Sequence, residues 1–394
     1  MKRMRNSSFT VEGIHYKDKT GVRISINEGV IQSIESSIVD DPTIFIAPSF
    51  IDLQVNGYMG IDFNNISLSE QEIEKAVNFL LAEGVTSFYP TIITNSYENI
   101  TKLVHTISHA IEKNELVRDV IPGIHLEGPF LSLEDGPRGA HNKMDIQPPD
   151  WGFFHKLNES VNGLIKMVTL SPEWDNAEDF IRKAVEHNVL VSIGHTSASS
   201  EQIDQAVKAG ARLSTHLGNG AHVMLPRHPN YLWDQLAEDS LAATVIADGF
   251  HLPSSVLKVI EKVKKDNMLI ISDSVALAGL PPGNYETAVG GKVTLTKEGK
   301  LYLNGNPRLL AGSAQSILWG VNSLFSMGVT SLSKAIDKAS ILPARLMNLP
   351  QKSAFQIGSP ADFIFYNMID ERLELVGTMK SGKLLNTKKQ ENGV

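Results

Sequence analysis

The sequence contains no cysteine among its 394 residues. Disulfides and thiolate metal ligands are therefore excluded, and any metal ion must be held by His, Asp or Glu. No apolar run approaches the ~20 residues that a membrane-spanning helix needs. The basic start of the chain, MKRMRNSSFTVEG, lacks the apolar core of a secretion signal. These absences predict a protein of the reducing cytoplasm with no membrane segment.

Positively charged residues are fewer than negatively charged ones. Lys and Arg number 36 against 44 Asp and Glu, which gives a formal net charge of −8. Nucleic-acid-binding surfaces are usually basic, so we predict no nucleic-acid partner. An anionic small substrate is still compatible with this balance, because a single pocket can be positive within an acidic protein. No low-complexity tract or Pro-rich linker interrupts the chain.

Both ends of the chain have the pattern of short β-strands. β-branched residues alternate with polar ones in three stretches between residues 13 and 34, broken by Gly and Asn. The same pattern returns between residues 357 and 385. We predict that residues 1–48 and 351–394 together form a small β-sandwich domain.

Residues 49–350 alternate between amphipathic helices and apolar strands. A capping box, Ser69-x-x-Glu72, opens a periodic helix that ends at Gly84 before the strand VTSFYP. Three similar units are AEDFIRKAVEHN with VLVSIGH, SSEQIDQAVKAG with ARLSTH, and SSVLKVIEKVKKDN with MLIISD. Strands that are apolar on both faces indicate a parallel sheet covered by helices. About eight such units predict an α/β fold, a (β/α)8 TIM barrel. A doubly wound open sheet is the alternative, but no Gly-rich dinucleotide fingerprint follows a strand.

Ionisable residues stand where the apolar runs end. They are Glu127, His195, His216, Asp248, His251 and Asp273. In a barrel these positions gather on the C-terminal rim, where active sites lie. Burying so many ionisable groups is costly unless they are paired or coordinate an ion. Two His and one Glu form a common catalytic zinc set with one open position. We therefore predict that Glu127, His195 and His216 bind one divalent metal ion and that Asp273 is the catalytic base.

A single histidine at a strand end is more often a hydrogen-bonded structural residue, so the prediction depends on the three ligands following successive strands. His125 lies two residues before Glu127 and so shares its strand face, but we assign it no role. The histidines in helical or sheet-edge contexts are predicted to have no role in the site. They are His15, His105, His109, His155 and His187.

Seven motifs occur in order between about residues 47 and 370. They are APSFIDLQVNG, IHLEGPFLS with GAHN, SIGHTSAS, STHLGN, IADGFHLP, ISDSVALAG and LLAGSAQSI. Together they resemble the N-acetylglucosamine-6-phosphate deacetylase family of the amidohydrolase superfamily. The resemblance implies a barrel with a β-sandwich built from both termini, a homodimer, and metal-dependent removal of the N-acetyl group from an amino-sugar 6-phosphate. We expect the metal to be zinc, with iron or another divalent ion as alternatives.

The resemblance also implies roles for individual residues. Glu127, His195 and His216 match the metal ligands, and Asp273 matches the general base and acid. His141, in GAHN, matches the residue that polarises the acetyl carbonyl together with the metal. Positions matching the sugar-phosphate contacts are Asn219, Gly220, His251, Leu310 and Ala311. Arg227 matches an arginine that reaches the phosphate in the neighbouring subunit.

Two segments depart from the usual pattern. Many amidohydrolases carry His-x-His at the end of the first barrel strand, where this chain has Gln54-Val55-Asn56. Some family members share this form and work with one metal, so we predict a mononuclear site. After the STH motif the chain reads LGNGAHVMLPRHPNYLWDQL, where the family usually has Asn-Ala-Met and Gly-Arg-Glu-Pro stretches. Arg227 stays in register, but His222 and His228 are unusual neighbours for it.

The predicted chemistry is amide hydrolysis. The metal would lower the pKa of a bound water toward ~7, and Asp273 would take its proton and later protonate the departing amine. His141 and the metal would stabilise the oxyanion. The altered segment 218–234 keeps open another amidohydrolase activity, on a different N-acyl sugar, an N-acyl amino acid or a cyclic amide. A non-catalytic sugar-phosphate sensor would be expected to lack the base or a metal ligand, whereas this sequence has Asp273 and all three predicted ligands. An aldolase or isomerase would usually need a Lys at a strand end, and none of the predicted strands ends in Lys.

Overall fold

The computed structural model describes residues 8–287 and 290–385. The strands are β1 (Phe9–His15), β2 (Gly21–Asn27), β3 (Val30–Ser36), β4 (Phe45–Pro48), β5 (Phe50–Val55), β6 (Gly57–Tyr58), β7 (Ile61–Asp62), β8 (Val85–Ile93), β9 (Ile124–Glu127), β10 (Ile165–Leu170), β11 (Leu190–Ile193), β12 (Leu213–Ser214), β13 (Ala242–Ile246), β14 (Met268–Ile271), β15 (Gly283–Thr287), β16 (Gly291–Leu295), β17 (Leu301–Leu303), β18 (Asn306–Leu310), β19 (Phe363–Ile369), β20 (Arg372–Lys380) and β21 (Lys383–Leu385).

The helices connect these strands. They are α1 (Glu70–Ala82), α2 (Tyr97–Lys113), α3 (Glu115–Val120), α4 (Trp151–Ser160), α5 (Ala177–Glu186), α6 (Ser200–Ala209), α7 (Tyr231–Ala237), α8 (Ser254–Lys264), α9 (Ile317–Ser326), α10 (Leu332–Lys338) and α11 (Ile341–Leu346). Short 3₁₀ helices lie at Lys143–Asp145, Lys265–Asn267 and Pro350–Ser353. Within the described ranges, no helix combines the length and the apolarity that crossing a membrane requires.

The chain divides into two compact units by its contacts. The first comprises the described residues within Met1–Asp52, Asn78–Ser87 and Ile317–Val394. It contains a seven-stranded sheet in the order β21-β20-β19-β4-β1-β2-β3. β4 lies antiparallel to β19 on one side and parallel to β1 on the other. The two ends of the chain therefore build one β-domain, as the sequence predicted.

This sheet follows the alternation of its sequence. Val22, Ile24 and Ile26 on β2 are buried, whereas Arg23 between them is exposed. Successive side chains of a strand point to opposite faces, so alternate residues reach the same core. Phe363 of β19 belongs to that core. N-terminal and C-terminal strands thus share one apolar layer.

The second unit comprises Leu53–Val77 and Phe88–Ser316. Eight parallel strands belong to one sheet, in the order β14-β13-β12-β11-β10-β9-β8-β5. A parallel bridge between Val55 and Ser274 joins its first and last strands, supported by hydrogen bonds from Asn56 N to Ser274 O (2.8 Å) and from Asp273 N to Gln54 O (3.0 Å). The sheet is therefore a nearly closed barrel with helices between its strands. The predicted fold class is confirmed, while the predicted boundaries at residues 48 and 350 stay predictions.

The capping box that signalled the first helix is present. The Ser69 N–H donates to Glu72 Oε2 (2.8 Å), and the Glu72 N–H donates to Ser69 Oγ (3.3 Å). These bonds satisfy two of the N–H groups that a helix start leaves free. Helix α6 has the same device, with Ser199 and Gln202. Local signals therefore set where these barrel helices begin.

One element within the barrel was not predicted. The antiparallel sheet β15-β16-β17-β18 lies between β14 and α9. Its buried core contains Val293, Leu295 and Leu301. Ala311, directly after β18, donates its N–H to Leu301 O (3.1 Å), and Ser313 forms a parallel bridge with Ser274. The inserted sheet thus returns the chain to the strand end that carries Asp273.

Candidate active site

The ionisable residues singled out in the sequence stand at the carboxyl ends of the barrel strands. Glu127 is the last residue of β9, while His195, His216, Asp248 and Asp273 each follow their strand by two residues. Glu127, His195 and His216 are at most 8% exposed. The parallel strands therefore bring to one rim the residues that the sequence predicted would meet there.

Three of these residues have left-handed backbone conformations. The φ angles are +50° at His195, +32° at His216 and +48° at Asp273. A residue with a Cβ adopts this region at a cost of the order of 1 kcal/mol, and such positions concentrate at functional sites. Three equivalent strand ends share the same strained turn. The backbone therefore supports a functional role for this rim.

Four polar side chains converge inside the rim. His216 Nε2 lies 3.1 Å from Glu127 Oε1 and 3.0 Å from His195 Nε2. His195 Nε2 lies 3.3 Å from Glu127 Oε1 and 3.3 Å from His141 Nε2. Glu127, His141 and His195 each offer a ligand atom within 4.8 Å of the others. The structure thus places His141 beside the three predicted ligands.

The donor set fits a divalent cation. His195 Nε2 faces three polar atoms within 3.3 Å, and a single ring proton could satisfy only one of them. His195 Nδ1–H donates to the Pro137 carbonyl at 2.8 Å, which leaves the Nε2 lone pair directed at the cluster. A backbone acceptor of this kind is the usual way in which a protein fixes a ligating histidine.

The environment moves the pKa values of this cluster apart. Burial would raise the pKa of Glu127, but the contacts with His195 and His216 hold it well below its usual range. Burial, with a smaller effect from His195, lowers the pKa of His141 to about 3. Glu127 is therefore a carboxylate and His141 a neutral imidazole at neutral pH.

Asp273 is held by the two amides, Gln54 and Asn56, that in the sequence are only a departure from the family pattern. Asn56 Nδ2 donates to Asp273 Oδ1 (2.7 Å), and Gln54 Nε2 donates to the same oxygen (3.0 Å) and to Glu127 Oε1 (2.9 Å). Gln54 therefore bridges the predicted ligand and the predicted base. Both amides bind Oδ1, so the second carboxylate oxygen of Asp273 is left for other partners.

The pKa of Asp273 is raised to about 6, first by burial and then by the charge of Glu127. The charge of His216 and the hydrogen bond from Asn56 act in the opposite direction. A carboxylate with such a pKa accepts a proton readily and releases it readily near neutral pH.

A line of buried hydroxyls crosses the barrel below the cluster. His125 Nε2 lies 2.8 Å from Thr169 Oγ1, which lies 2.7 Å from Thr215 Oγ1, and that hydroxyl lies 2.6 Å from Ser192 Oγ. Burial lowers the pKa of His125 to about 4. His125 is therefore a satisfied neutral histidine of the barrel interior.

The residues that the family resemblance linked to the sugar phosphate lie in loops around the cluster. Asn219 Nδ2 donates to His216 O (3.2 Å), and Gly220 packs against the His195 ring. His251 Nδ1 lies 2.7 Å from Asp248 Oδ2, and its charge lowers the pKa of Asp273. These residues are thus close to the cluster.

Arg227 is exposed in the segment after β12. Within residues 8–287 and 290–385 it makes no hydrogen bond or ion pair to the cluster. A single chain therefore does not bring Arg227, the predicted phosphate ligand, together with the other predicted site residues. Leu310 is the last residue of β18 and Ala311 follows it. Ala311 lies two residues before the Ser313–Ser274 bridge beside Asp273.

Comparisons with known proteins agree with this geometry. Residues 45–385 match the model of the amidohydrolase family. The chain is 30% identical over 384 residues to the N-acetylglucosamine-6-phosphate deacetylase of Bacillus subtilis (strain 168), covering 94% of both chains. It is 30% identical over 356 residues to the human enzyme of the same name, covering 86% of this chain and 83% of that one.

Solved structures show the same fold. A deacetylase of that name from Thermotoga maritima superposes with a TM-score of 0.83 at 25% identity, covering 96% of this chain and 98% of the other. One from Mycobacterium smegmatis gives 0.86 at 23% identity, covering 97% and 100%. The protein is therefore an amidohydrolase, an enzyme class that hydrolyses carbon–nitrogen bonds. Within that class the chain belongs to the N-acetylglucosamine-6-phosphate deacetylase family.

Proposed function

We propose that the enzyme hydrolyses N-acetylglucosamine 6-phosphate to glucosamine 6-phosphate and acetate, with one divalent cation, zinc, held by Glu127, His195 and His216. The observation that carries the proposal is the convergence of these three side chains within 3.3 Å of one another, with Asp273 tied to Glu127 through Gln54. The names of the relatives support the choice of substrate. Because sugar phosphates are charged and do not cross membranes unaided, we infer a cytoplasmic location.

The cation would act as a Lewis acid at the acetyl carbonyl and lower the pKa of a water molecule in the site. Asp273 takes a proton from the attacking water molecule as the water oxygen forms a bond to the carbonyl carbon. When the carbon–nitrogen bond breaks, Asp273 passes the proton to the amine, and acetate is the second product. Asp273 thereby regains its carboxylate within each turnover. Its raised pKa suits both transfers.

His141 is suited to bind the carbonyl oxygen as negative charge develops on it. Its Nδ1 lies 2.9 Å from Thr94 Oγ1. When that hydroxyl donates to Nδ1, the ring carries its proton on Nε2, the nitrogen that faces the cluster. A neutral imidazole donates this hydrogen bond without adding a charge that would repel the cation. One well-placed donor of this kind stabilises such an oxyanion by roughly 3–4 kcal/mol.

We infer that the active enzyme is a homodimer in which Arg227 binds the phosphate of the substrate in the neighbouring subunit. Arg227 is exposed, and Val223 and Met224 in the same segment are 96% and 85% exposed. Two neighbouring apolar side chains so fully exposed are compatible with a surface that another chain covers. The planar guanidinium can bind two phosphate oxygens at once.

The proposal is tested with zinc-loaded enzyme and the 6-phosphates of N-acetylglucosamine, N-acetylgalactosamine and N-acetylmannosamine. Non-phosphorylated N-acetylglucosamine is the fourth substrate. We expect kcat/KM to be highest for N-acetylglucosamine 6-phosphate. Faster hydrolysis of the non-phosphorylated sugar would contradict the proposed phosphate contact. Hydrolysis of none of the four would leave the chain as an amidohydrolase of another amide.

Mixing inactive Asp273→Asn chains with Arg227→Ala chains tests the shared site. If Arg227 acts across the dimer, a mixed dimer contains one site with both residues intact. Activity should then rise when the two inactive or weakened variants are mixed. Unchanged activity in dimers shown to have exchanged subunits would contradict the assignment of Arg227.

A further inference from the structure

The segment that departs most from the family pattern carries a side chain with no assigned role, His222. Its Nε2 lies 2.8 Å from Glu134 Oε2, its Nδ1 lies 3.0 Å from the Tyr231 hydroxyl, and its backbone N–H donates to that hydroxyl at 2.8 Å. Glu134 belongs to segment 128–142, which follows β9 and carries His141. His222 belongs to segment 217–230, which follows β12 and carries Asn219 and Gly220.

Each proton of this cluster has an acceptor. The His222 N–H donates to the Tyr231 oxygen, the Tyr231 O–H can donate to Nδ1, and Nε2–H can donate to Glu134. One tautomer of His222 satisfies all three contacts. The three side chains therefore form a closed clasp between two loops, with His222 in the middle.

The two segments also meet backbone to backbone. Gly136 has φ +97°, and a Cβ there would lie 3.0 Å from His222 Cα and 3.1 Å from Ala221 O. A Cβ on Gly220 would lie 2.8 Å from His195 Nδ1. Only glycine permits this approach. The clasp therefore lies where the two segments contact each other, and segment 217–230 contacts His195 beside it.

The clasp is connected to the site through segment 128–142. The backbone carbonyl of Glu134 accepts the Arg138 N–H (3.0 Å), and Arg138 Nη1 donates to His141 O (2.8 Å). Between them, the Pro137 carbonyl binds His195 Nδ1 (2.8 Å). Movement of Glu134 would therefore disturb both His141 and the acceptor that orients His195.

We propose that His222 is a positioning residue that clasps segment 217–230 to segment 128–142 through Glu134 and Tyr231. The clasp fixes the Pro137 carbonyl on His195 and the Asn219–Gly220 backbone beside the substrate. Its effect on turnover rests on the proposed function, whereas the tie between the two segments does not. The two parts are therefore tested separately.

Hydrogen exchange of the full-length protein tests the tie. We expect His222→Ala to speed exchange in peptides from both segments, and Glu134→Ala to do the same. Glu134→Gln keeps an acceptor for Nε2–H and should exchange like the unaltered chain, as should His228→Ala, which removes an exposed histidine of segment 217–230. The double variant Glu134→Ala with His222→Ala should match His222→Ala alone, since in the clasp Glu134 acts only through His222. Faster exchange confined to one segment, or additive effects, would overturn the clasp.

Steady-state kinetics test the effect on the site. Loss of a supporting contact of this kind typically costs 10–100-fold. We expect His222→Ala and Glu134→Ala to lower kcat/KM for N-acetylglucosamine 6-phosphate by about tenfold, the lower end of that range, because His141, the Pro137 carbonyl on His195 and the Asn219–Gly220 backbone lose support. Glu134→Gln, which keeps the acceptor for Nε2–H, should retain near-normal kcat/KM. An equal loss in Glu134→Gln and Glu134→Ala, or no loss in His222→Ala, would overturn the positioning role. If the unaltered enzyme hydrolyses none of the sugar phosphates, the proposed function fails, and the exchange experiment still decides whether the clasp exists.

Discussion

The same side chain occurs in two contrasting settings in the barrel unit. The inner histidines, in the barrel strands and in the loops after them, are His125, His141, His195 and His216. The outer histidines, on the helices or directly after one, are His105, His109, His155 and His187. The inner set is at most 8% exposed, and each ring has a polar partner within 3.3 Å. The outer set is half-buried or exposed.

Two of the outer histidines, His155 and His187, pack on an aromatic side chain instead of a polar cluster. Trp151 stacks on His155 with ring centroids 5.1 Å apart and lies 4.9 Å from His187. The comparison shows that the type of residue does not define a site. The site is defined by burial at a strand end together with ligand atoms that face one another.

The largest effect should follow a change in the inner region that leaves the ligands in place. Asp273→Asn removes the proton acceptor while keeping the shape of the side chain. We expect kcat to fall about 10³-fold or more, within the upper range for general acid–base catalysis. Metal analysis should show the same content as in the unaltered enzyme. A near-normal kcat would rule out Asp273 as the base.

Replacing one histidine from each set tests directly whether the inner and outer histidines differ in their contribution to zinc binding. His216→Ala removes a ligand atom, so we expect zinc affinity to fall more than about 100-fold, beyond the loss typical of a supporting residue. His187→Ala removes an exposed ring and should leave the affinity unchanged. Competition with a chromophoric chelator measures both values. Equal affinities in the two variants would mean that His216 is not a ligand.

A smaller effect is expected from the amides that hold the base. Asn56→Asp replaces a donor by a carboxylate 2.7 Å from Asp273 Oδ1, and the repulsion should raise the pKa of Asp273 and weaken it as a base at neutral pH. We expect kcat to fall about 10–100-fold with KM little changed. Asn158→Asp, a buried amide that bonds the backbone of Ile165, is the matched control. Similar losses in both variants would indicate a general structural effect.

Periodicity and strand-end chemistry were enough to predict much of this molecule. The helix that begins after Ser69, the strands of both termini and the parallel barrel follow from local patterns that the structure confirms. Glu127, His195 and His216 follow apolar runs, and parallel strands must place such positions on one rim. These features could be predicted because each depends on a repeat of two or 3.6 residues along the chain.

Contacts between distant loops could not be predicted in this way. Gln54 appeared only as a missing histidine, although its amide bridges Glu127 and Asp273. The clasp of His222 joins residues 88 positions apart, and no periodicity links them. The residues of the sheet β15–β18 were predicted as part of the barrel domain 49–350, because their alternation of apolar and polar residues does not distinguish them from other short strands. Side-chain direction and loop path decide such contacts, and both depend on the folded chain.

The smallest expected effect concerns stability and separates the barrel interior from its outer face. Thr215→Val keeps the shape of the side chain but removes the hydroxyl between Thr169 and Ser192. Leaving a buried hydroxyl without its partner should lower the free energy of unfolding by about 1–2 kcal/mol.

Ser160→Ala on the outer face loses a contact with His105 that water can replace, so its effect should stay within about 0.5 kcal/mol. Urea unfolding of the metal-free proteins measures both changes. Equal losses would mean that the buried hydroxyl line contributes no more than the hydrated outer surface. The distinction between the inner and outer polar groups would then hold for metal binding alone.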